Sequence, residues 1–294
     1  MQDVAILSAR NADAGTAEAL SAFAQRTGLT DIDVLSDLSA SSQAVQAPCP
    51  ADWPLEQIRA EAERFSFDVN QVSGQERRKA LLLADMDATI IHGESLDELA
   101  HLAGIDEQIK PITTKAMAGE LDFNQALSAR LALLAGQPAA LLDQVVQNTI
   151  ITEGAPQLIA TMRANASSCY LVSGGFTFLT GAIAKRLGFT DHHSNIMDIE
   201  DGHLTGRVTA PVLDKQAKLN YLKHYINLHG LRPEQTICVG DGANDLAMLN
   251  SAGMGVAFEG KPTLREQVKL QLNHTDLTGL LYLQGYRSSE FKAG

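Results

Sequence analysis

Two aspartates one residue apart, Asp85 and Asp87, close the apolar run Leu81-Leu82-Leu83-Ala84. A run that is apolar at every position suits a strand covered on both faces, as in a parallel α/β sheet. Side chains at i and i+2 of an extended segment point the same way. Both carboxylates therefore lean into one space at the strand's carboxyl end, the edge at which open α/β sheets bind ligands. Two acids held that close repel each other unless a cation lies between them or one keeps its proton. Asp-x-Asp also occurs in ordinary solvated turns, so its weight depends on what accompanies it further along the chain.

Three later segments supply the company. Ser173-Gly174-Gly175 follows the strand-like Cys169-Tyr170-Leu171-Val172 and precedes a helical pattern over Phe176 to Leu187. At such a strand-to-helix turn, backbone N–H groups and the helix dipole favour an anion, and the glycines allow close approach to a phosphate. Lys218 lies in a helical pattern from Leu213 to Leu228. A lone helical lysine is ordinarily solvated, yet two aspartates and a dianionic substrate need more positive charge than one divalent metal provides. Gly240-Asp241-Gly242-Ala243-Asn244-Asp245 follows the strand-like Thr236-Ile237-Cys238-Val239. Its oxygen-only side chains are the donors Mg²⁺ prefers, whereas an Asx-rich turn capping the next helix is the bland alternative. Each piece alone is weak, and their joint occurrence in chain order at strand ends is what chance produces rarely.

These residues need elements to hold them. Between Glu94 and about residue 150 the pattern is wholly helical, a lid inserted after the first core strand. The α/β rhythm resumes at the helix Pro156 to Ala164. It continues through a hairpin (Ile196 to Ile199, Asp201-Gly202, Leu204 to Val208) and ends at a strand over Gly255 to Phe258. Residues 1–75 read as a separate small α/β unit with strands at Val4 to Leu7, Ile32 to Leu35 and Phe67 to Asn70 and helices over Ala17 to Gln25 and Leu55 to Phe65. That arrangement is ferredoxin-like and includes small amino-acid-sensing (ACT-like) modules among its parallels; effector binding, packing and homodimer formation all remain open for it. Ser36 to Ser42 reads as loop, and Arg77-Arg78-Lys79 as a solvated linker.

Composition narrows the class. The 294 residues carry a net charge of -12, which argues against nucleic-acid affinity, since phosphate backbones need a basic face. Cys49, Cys169 and Cys238 show no paired spacing, which implies a reducing compartment without a disulfide framework. The start lacks a basic segment followed by a long apolar one, and no apolar stretch reaches membrane-spanning length. A cytoplasmic protein without membrane association is expected.

Asp85-Met86-Asp87-Ala88-Thr89, Ser173-Gly174-Gly175, Lys218 and Gly240-Asp241-Gly242-Ala243-Asn244-Asp245 resemble the four motifs of haloacid-dehalogenase-superfamily phosphatases. The likeness runs over about residues 81–280. It implies a Rossmann-like hydrolase core over residues 76–294 with a helical cap at about 93–150. It further implies an Mg²⁺-dependent phosphomonoesterase acting on O-phosphoserine, with Asp85 as nucleophile and Asp87 as general acid and base. Mg²⁺ would be held by Asp85, the Asp87 carbonyl and Asp241, with Asp245 behind them, and Ser173, Gly174, Lys218 and Asn244 would face the substrate. In the lid, Glu94 corresponds to the position that meets the substrate ammonium and Arg130 to the one that meets its carboxylate. Met117-Ala118-Gly119 and Asp122-Phe123 resemble the cap segment, with Met117 and Phe123 as an apolar wall. Ala88 departs from the serine usual in the family, at a position flanking the nucleophile. Another small phosphomonoester, such as phosphohomoserine, or a non-catalytic amino-acid sensor are the alternative functions.

Overall fold

The computed structural model describes residues 2–10, 15–117 and 120–294, and the side chains of residues 116, 117, 123 and 215 lie outside the description. The first unit runs β1 (Asp3–Arg10), α1 (Thr16–Arg26), β2 (Asp33–Val34), β3 (Ser42–Cys49), α2 (Leu55–Ala62) and β4 (Asp68–Ser73). Its antiparallel sheet has the order β2-β3-β1-β4, the ferredoxin-like arrangement expected of a βαββαβ chain. One strand was illegible in the sequence. β3, Ser-Gln-Ala-Val-Gln-Ala-Pro-Cys, reads as loop at its start and is only mildly apolar, yet it is almost wholly buried next to β1.

The second unit begins with β5 (Leu81–Ala84) and the four helices of the lid, α3 (Ser95–Leu102), α4 (Asp106–Met117), α5 (Phe123–Ala132) and α6 (Ala140–Asn148). It continues with α7 (Ala155–Ala164), β6 (Ser168–Phe176), α8 (Thr177–Leu187), β7 (Asp191–Glu200), β8 (His203–Thr209) and α9 (Lys215–Leu228). It closes with β9 (Thr236–Gly240), α10 (Leu246–Leu249), β10 (Met254–Phe258), α11 (Pro262–Arg265), β11 (Leu270–Leu272) and α12 (Gly279–Leu283). The sheet order is β11-β10-β9-β5-β6-β7-β8, parallel except for the β7–β8 hairpin. Successive side chains of β5 enter opposite cores, Leu82 and Ala84 one, Leu81 and Leu83 the other. The unbroken apolar run is thus explained by helices on both sides of the sheet.

The lid leaves and rejoins the core on two antiparallel segments. Ile91 bridges Ile151, and the N–H groups of His92 and Thr152 donate to the carbonyls of Ile150 and Ile90, each at 3.0 Å. Its far end rests on the β7–β8 hairpin, where Gly136 N–H donates to Leu204 O at 2.8 Å and Ala139 N–H to Gly202 O at 2.8 Å. The hairpin turns at Asp201 (φ 49°) and Gly202 (φ 75°), as the Asp-Gly pair predicts for a two-residue turn with both positions left-handed.

The two units are locked together along β4 and β11. Asn70 acts as a stand-in for backbone, its Nδ2 donating to Gln271 O at 2.8 Å and its Oδ1 accepting from Gln271 N at 2.9 Å. Buried Asp68 accepts from the N–H groups of Asn273 (2.7 Å) and His274 (3.0 Å) and from Thr275 Oγ1 (2.7 Å). The basic triplet is not a solvated linker. Arg77 donates to the carbonyls of Leu283 (3.0 Å) and Tyr282 (2.8 Å), and buried Lys79 donates to those of Glu76 and Glu234 at 2.7 Å. Carbonyls at element ends supply acceptors that charge alone did not reveal. Cys49, Cys169 and Cys238 are all buried and free. No helix among the described residues is long and apolar enough to cross a membrane.

Candidate active site

β5, β6 and β9 lie side by side and parallel, so the residues that follow them emerge at one edge. Asp85 extends β5 by one ladder bond, its N–H donating to Val239 O at 3.0 Å, which brings it beside the Gly240–Asp241 end of β9. Asp85 Oδ1 accepts from Met86 N at 2.8 Å and pairs with Lys218 Nζ at 2.8 Å. Lys218 also donates to Asp245 Oδ1 at 2.6 Å, and Asp245 Oδ2 accepts from Gly242 N at 3.1 Å. The lysine, Asp85 and Asp245 are all buried. Burial works against the Lys218 charge, but Asp85 and Asp245 outweigh it and hold the ammonium above its usual range. Asp85 is itself pushed well up, by burial first and then by the charge of Asp245, with Lys218 pulling the other way.

Asp87 is fixed from two sides. Its Oδ1 accepts from Ser95 N at 2.7 Å and its Oδ2 from Ser173 Oγ at 3.1 Å. Burial raises its carboxyl despite these donors. Immediately after Asp87 the chain makes a tight turn in which Ala88 is left-handed (φ 51°) and donates its N–H to Gly93 O at 2.8 Å. Gly175 permits this approach, because a Cβ there would lie 2.7 Å from Asp87 Oδ2 and 3.1 Å from Ser173 Oγ. Ser173-Gly174-Gly175 does not form the helix turn expected of it. The strand runs on to Phe176 and α8 starts at Thr177. Two residues without side chains let the chain stay extended past Asp87, and Gly175 N–H is satisfied by Ser173 Oγ at 2.8 Å.

Asp85, Asp241 and Asp245 present carboxylate oxygens within 4.8 Å of one another, all three residues buried. An oxygen-only anionic donor set suits a hard divalent cation. Asp245 sits closer to this set than a purely outer residue would, although both its oxygens already hold N–H donors. Half-buried Asn244 folds over Gly242, where a Cβ would meet its Oδ1 at 2.4 Å.

In the lid, Glu94 starts α3, and burial, with the nearby charge of Asp87, pushes its carboxyl up to about 7. Its side chain still reaches solvent, with about half its surface exposed (49%). Arg130 pairs with Asp97 on the first turn of α3, and its Nε is buried without a protein partner among the described residues. Met117 ends α4 and Phe123 begins α5 after an Asp122 capping box; the apolar wall assigned to their side chains lies outside the described residues, as do Ala118 and Gly119. Two functional positions were missed from sequence. Ser95 holds Asp87 through its side chain as well as its backbone N–H, and Lys261 Nζ lies 2.9 Å from Asp241 Oδ2; neither residue belongs to a motif that stands out in the sequence.

The family model for haloacid dehalogenase-like hydrolases matches residues 82–250, and the chain belongs to that family. It is 40% identical over 238 residues to a phosphoserine phosphatase of Streptomyces coelicolor, covering 80% of this chain and 58% of that one. It is also 40% identical to a phosphoserine phosphatase of Lactococcus lactis, over 69% of this chain and 94% of that one. The chain thus spans less than two thirds of some curated relatives and nearly all of others. A crystal structure of a HAD-family hydrolase from Salmonella enterica serovar Typhi superposes with a TM-score of 0.85 at 28% identity, over 96% of this chain and 98% of that one. The likeness to that structure therefore includes the first unit as well as the core.

Proposed function

We propose that this chain hydrolyses O-phosphoserine to serine and phosphate through an aspartyl-phosphate on Asp85, with Mg²⁺ as its cation. The observation that carries the reading is the grip on Asp85: Oδ1 is held by Lys218 Nζ and Met86 N–H, both at 2.8 Å. Oδ2 has no protein donor among the described residues and is left to attack. A carboxylate positioned so can act as a covalent nucleophile. Burial raises the carboxyl of Asp87, two residues on, and so favours the protonated form that a general acid for the departing alkoxide needs.

Asp85 Oδ2 forms a bond to phosphorus as the P–O bond to serine breaks, and Asp87 gives its proton to the serine oxygen. Asp87, now an anion, takes a proton from water as that water attacks phosphorus, which frees phosphate and restores Asp85. Mg²⁺, held by Asp85, the Asp87 carbonyl and Asp241, would neutralise charge on the phosphoryl oxygens. Lys218 adds a fixed cation beside the nucleophile, Ser173, Gly174 and Asn244 face the phosphate, and Asp245 keeps Lys218 and Gly242 in place. Glu94 recognises the ammonium. Arg130, whose Nε still has a bond to give, recognises the carboxylate, with Met117 and Phe123 as the apolar wall beside it. The names of the relatives, phosphoserine phosphatases at 40% identity, support the same substrate.

The test is Mg²⁺-dependent release of phosphate from O-phosphoserine by the purified chain. Asp85→Asn is expected to fold and to lose multiple turnover, and retained turnover would remove Asp85 from the mechanism. Arg130→Ala is expected to lower kcat/KM for O-phosphoserine by about 10- to 150-fold, the worth of ~1.5–3 kcal/mol for a charged hydrogen bond. Phenyl phosphate, which has no carboxylate, should be unaffected; an equal loss on both substrates would sink the amino-acid assignment.

A further inference from the structure

A second lysine reaches the same carboxylates from a different element. Lys261 follows β10 and starts α11, and its backbone N–H donates to Asp241 O at 3.0 Å. Its Nζ lies 2.9 Å from Asp241 Oδ2 and 4.0 Å from Glu94 Oε1. The two lysines of the site differ in freedom. Lys218 has 3% of its side chain exposed, whereas Lys261 has 52%. The backbone bond fixes the root of Lys261 relative to Asp241, and its flexible four-carbon stem leaves the ammonium able to move between anions. Asp241 is also one of the three carboxylates able to hold a divalent cation. An ammonium in contact with that carboxylate opposes a dication there by like-charge repulsion. Among the described residues, Glu94 is the second carboxylate paired with it, and the charge of Asp85 is felt from further off.

We propose that Lys261 is a positioning residue that competes with the divalent cation for Asp241, and that the displaced ammonium moves onto Glu94. This rests on the reading of Asp85 and Asp241 as cation ligands and goes beyond it by coupling two ends of the site. Cation binding at the phosphate end delivers a positive charge to the acid at the substrate's amine end. The occupied site then holds an ammonium-bearing substrate less tightly than Glu94 alone would, which eases release of serine.

The experiment measures Mg²⁺ binding to the chelator-treated full chain by titration calorimetry, without substrate, for wild type, Lys261→Met and Lys261→Arg. Lys261→Met is expected to bind Mg²⁺ about tenfold more tightly than wild type, a difference of ~1.4 kcal/mol. Lys261→Arg, which keeps the charge, should stay near wild type. In ¹⁵N-lysine-labelled wild type, the Lys261 ammonium resonance should shift with the same midpoint as the calorimetric titration, a signal that a merely structural lysine would not give. If wild type binds Mg²⁺ and Lys261→Met binds it equally or more weakly, the competition is refuted while the cation site stands. If folded wild type binds no Mg²⁺, the cation site falls and the competition with it. Should Lys261→Met fail to fold, a wild-type Lys261 resonance unmoved at saturating Mg²⁺ refutes the proposal by itself.

Discussion

Replacing Lys218 by methionine removes one charge, keeps most of the volume and strands two buried acids. In the folded chain the ammonium pairs with Asp85 at 2.8 Å and Asp245 at 2.6 Å, and the three side chains are 3%, 6% and 0% exposed. Removing one partner of a buried ion pair costs about 3–5 kcal/mol, and two orphaned carboxylates place this case toward the upper end. At ~2–4 °C per kcal/mol for a chain of this size, the melting temperature should fall by roughly 10 °C or more at pH 8 in chelator. The pH dependence has a definite sign. Folding holds the Lys218 pKa above 10.5, so its contribution is fully present below that value and is lost only as pH rises through the higher folded value. Between pH 5 and 8 the wild-type lysine contribution is therefore flat. In the variant, Asp85 loses the charge that restrained its already raised pKa. An acid with a raised folded pKa favours the fold when protonated, so the deficit should shrink as pH falls toward 5. Thermal melts of wild type and Lys218→Met at pH 8 and 5.5 measure this. A drop below about 5 °C at pH 8, half the smallest shift expected, or a deficit that grows on acidification, would refute this account.

Two further outcomes follow from groups described above. Because Glu94 is pushed up to about 7, its charge fades as pH falls through neutrality. KM for O-phosphoserine should therefore rise from pH 8 to 6 relative to KM for phenyl phosphate, and Glu94→Gln should abolish that difference; parallel profiles for the two substrates would contradict it. Asp68→Ala leaves the half-buried N–H groups of Asn273 and His274, and the buried Thr275 hydroxyl, without their acceptor. A loss of about 2–4 kcal/mol in urea unfolding is expected, with faster proteolysis between the two units, and an unchanged urea midpoint would show that Asp68 does not bind them together.

The parts legible in the sequence were those whose local pattern and burial agree. Leu81–Ala84 is apolar on both faces because both faces are covered, and Asp201-Gly202 makes the turn its residues favour. What escaped was set by distant neighbours. β3 is mildly apolar but becomes strand between β1 and β2, where Gln46 finds Asp33 and Arg77 as partners. β11 is three residues long and has too little pattern to read, yet it closes the main sheet. Ser173–Phe176 stays extended because Asp87 occupies the space beside Gly175, a constraint imposed from residues far earlier in the chain. The candidate site divides in the same way. Asp85, Asp87, Ser173, Lys218, Asp241 and Asp245 are each weak signals that gain weight from occurring together in chain order, whereas Ser95 and Lys261 acquire meaning only from what folds against them.

The side-chain amide of Asn70 has a consequence for how the molecule keeps to itself. β11 is the last rung of the main sheet, and an unpaired outer strand offers its N–H and C=O groups to any chain that drifts past. Here the Gln271 N–H and C=O are both taken by a single asparagine of the preceding unit. The small unit thus works as a stopper on the sheet's open flank. Were the chain cut before residue 81, the freed rim would be ready to recruit a stray strand, and clumping would be the first symptom of its removal.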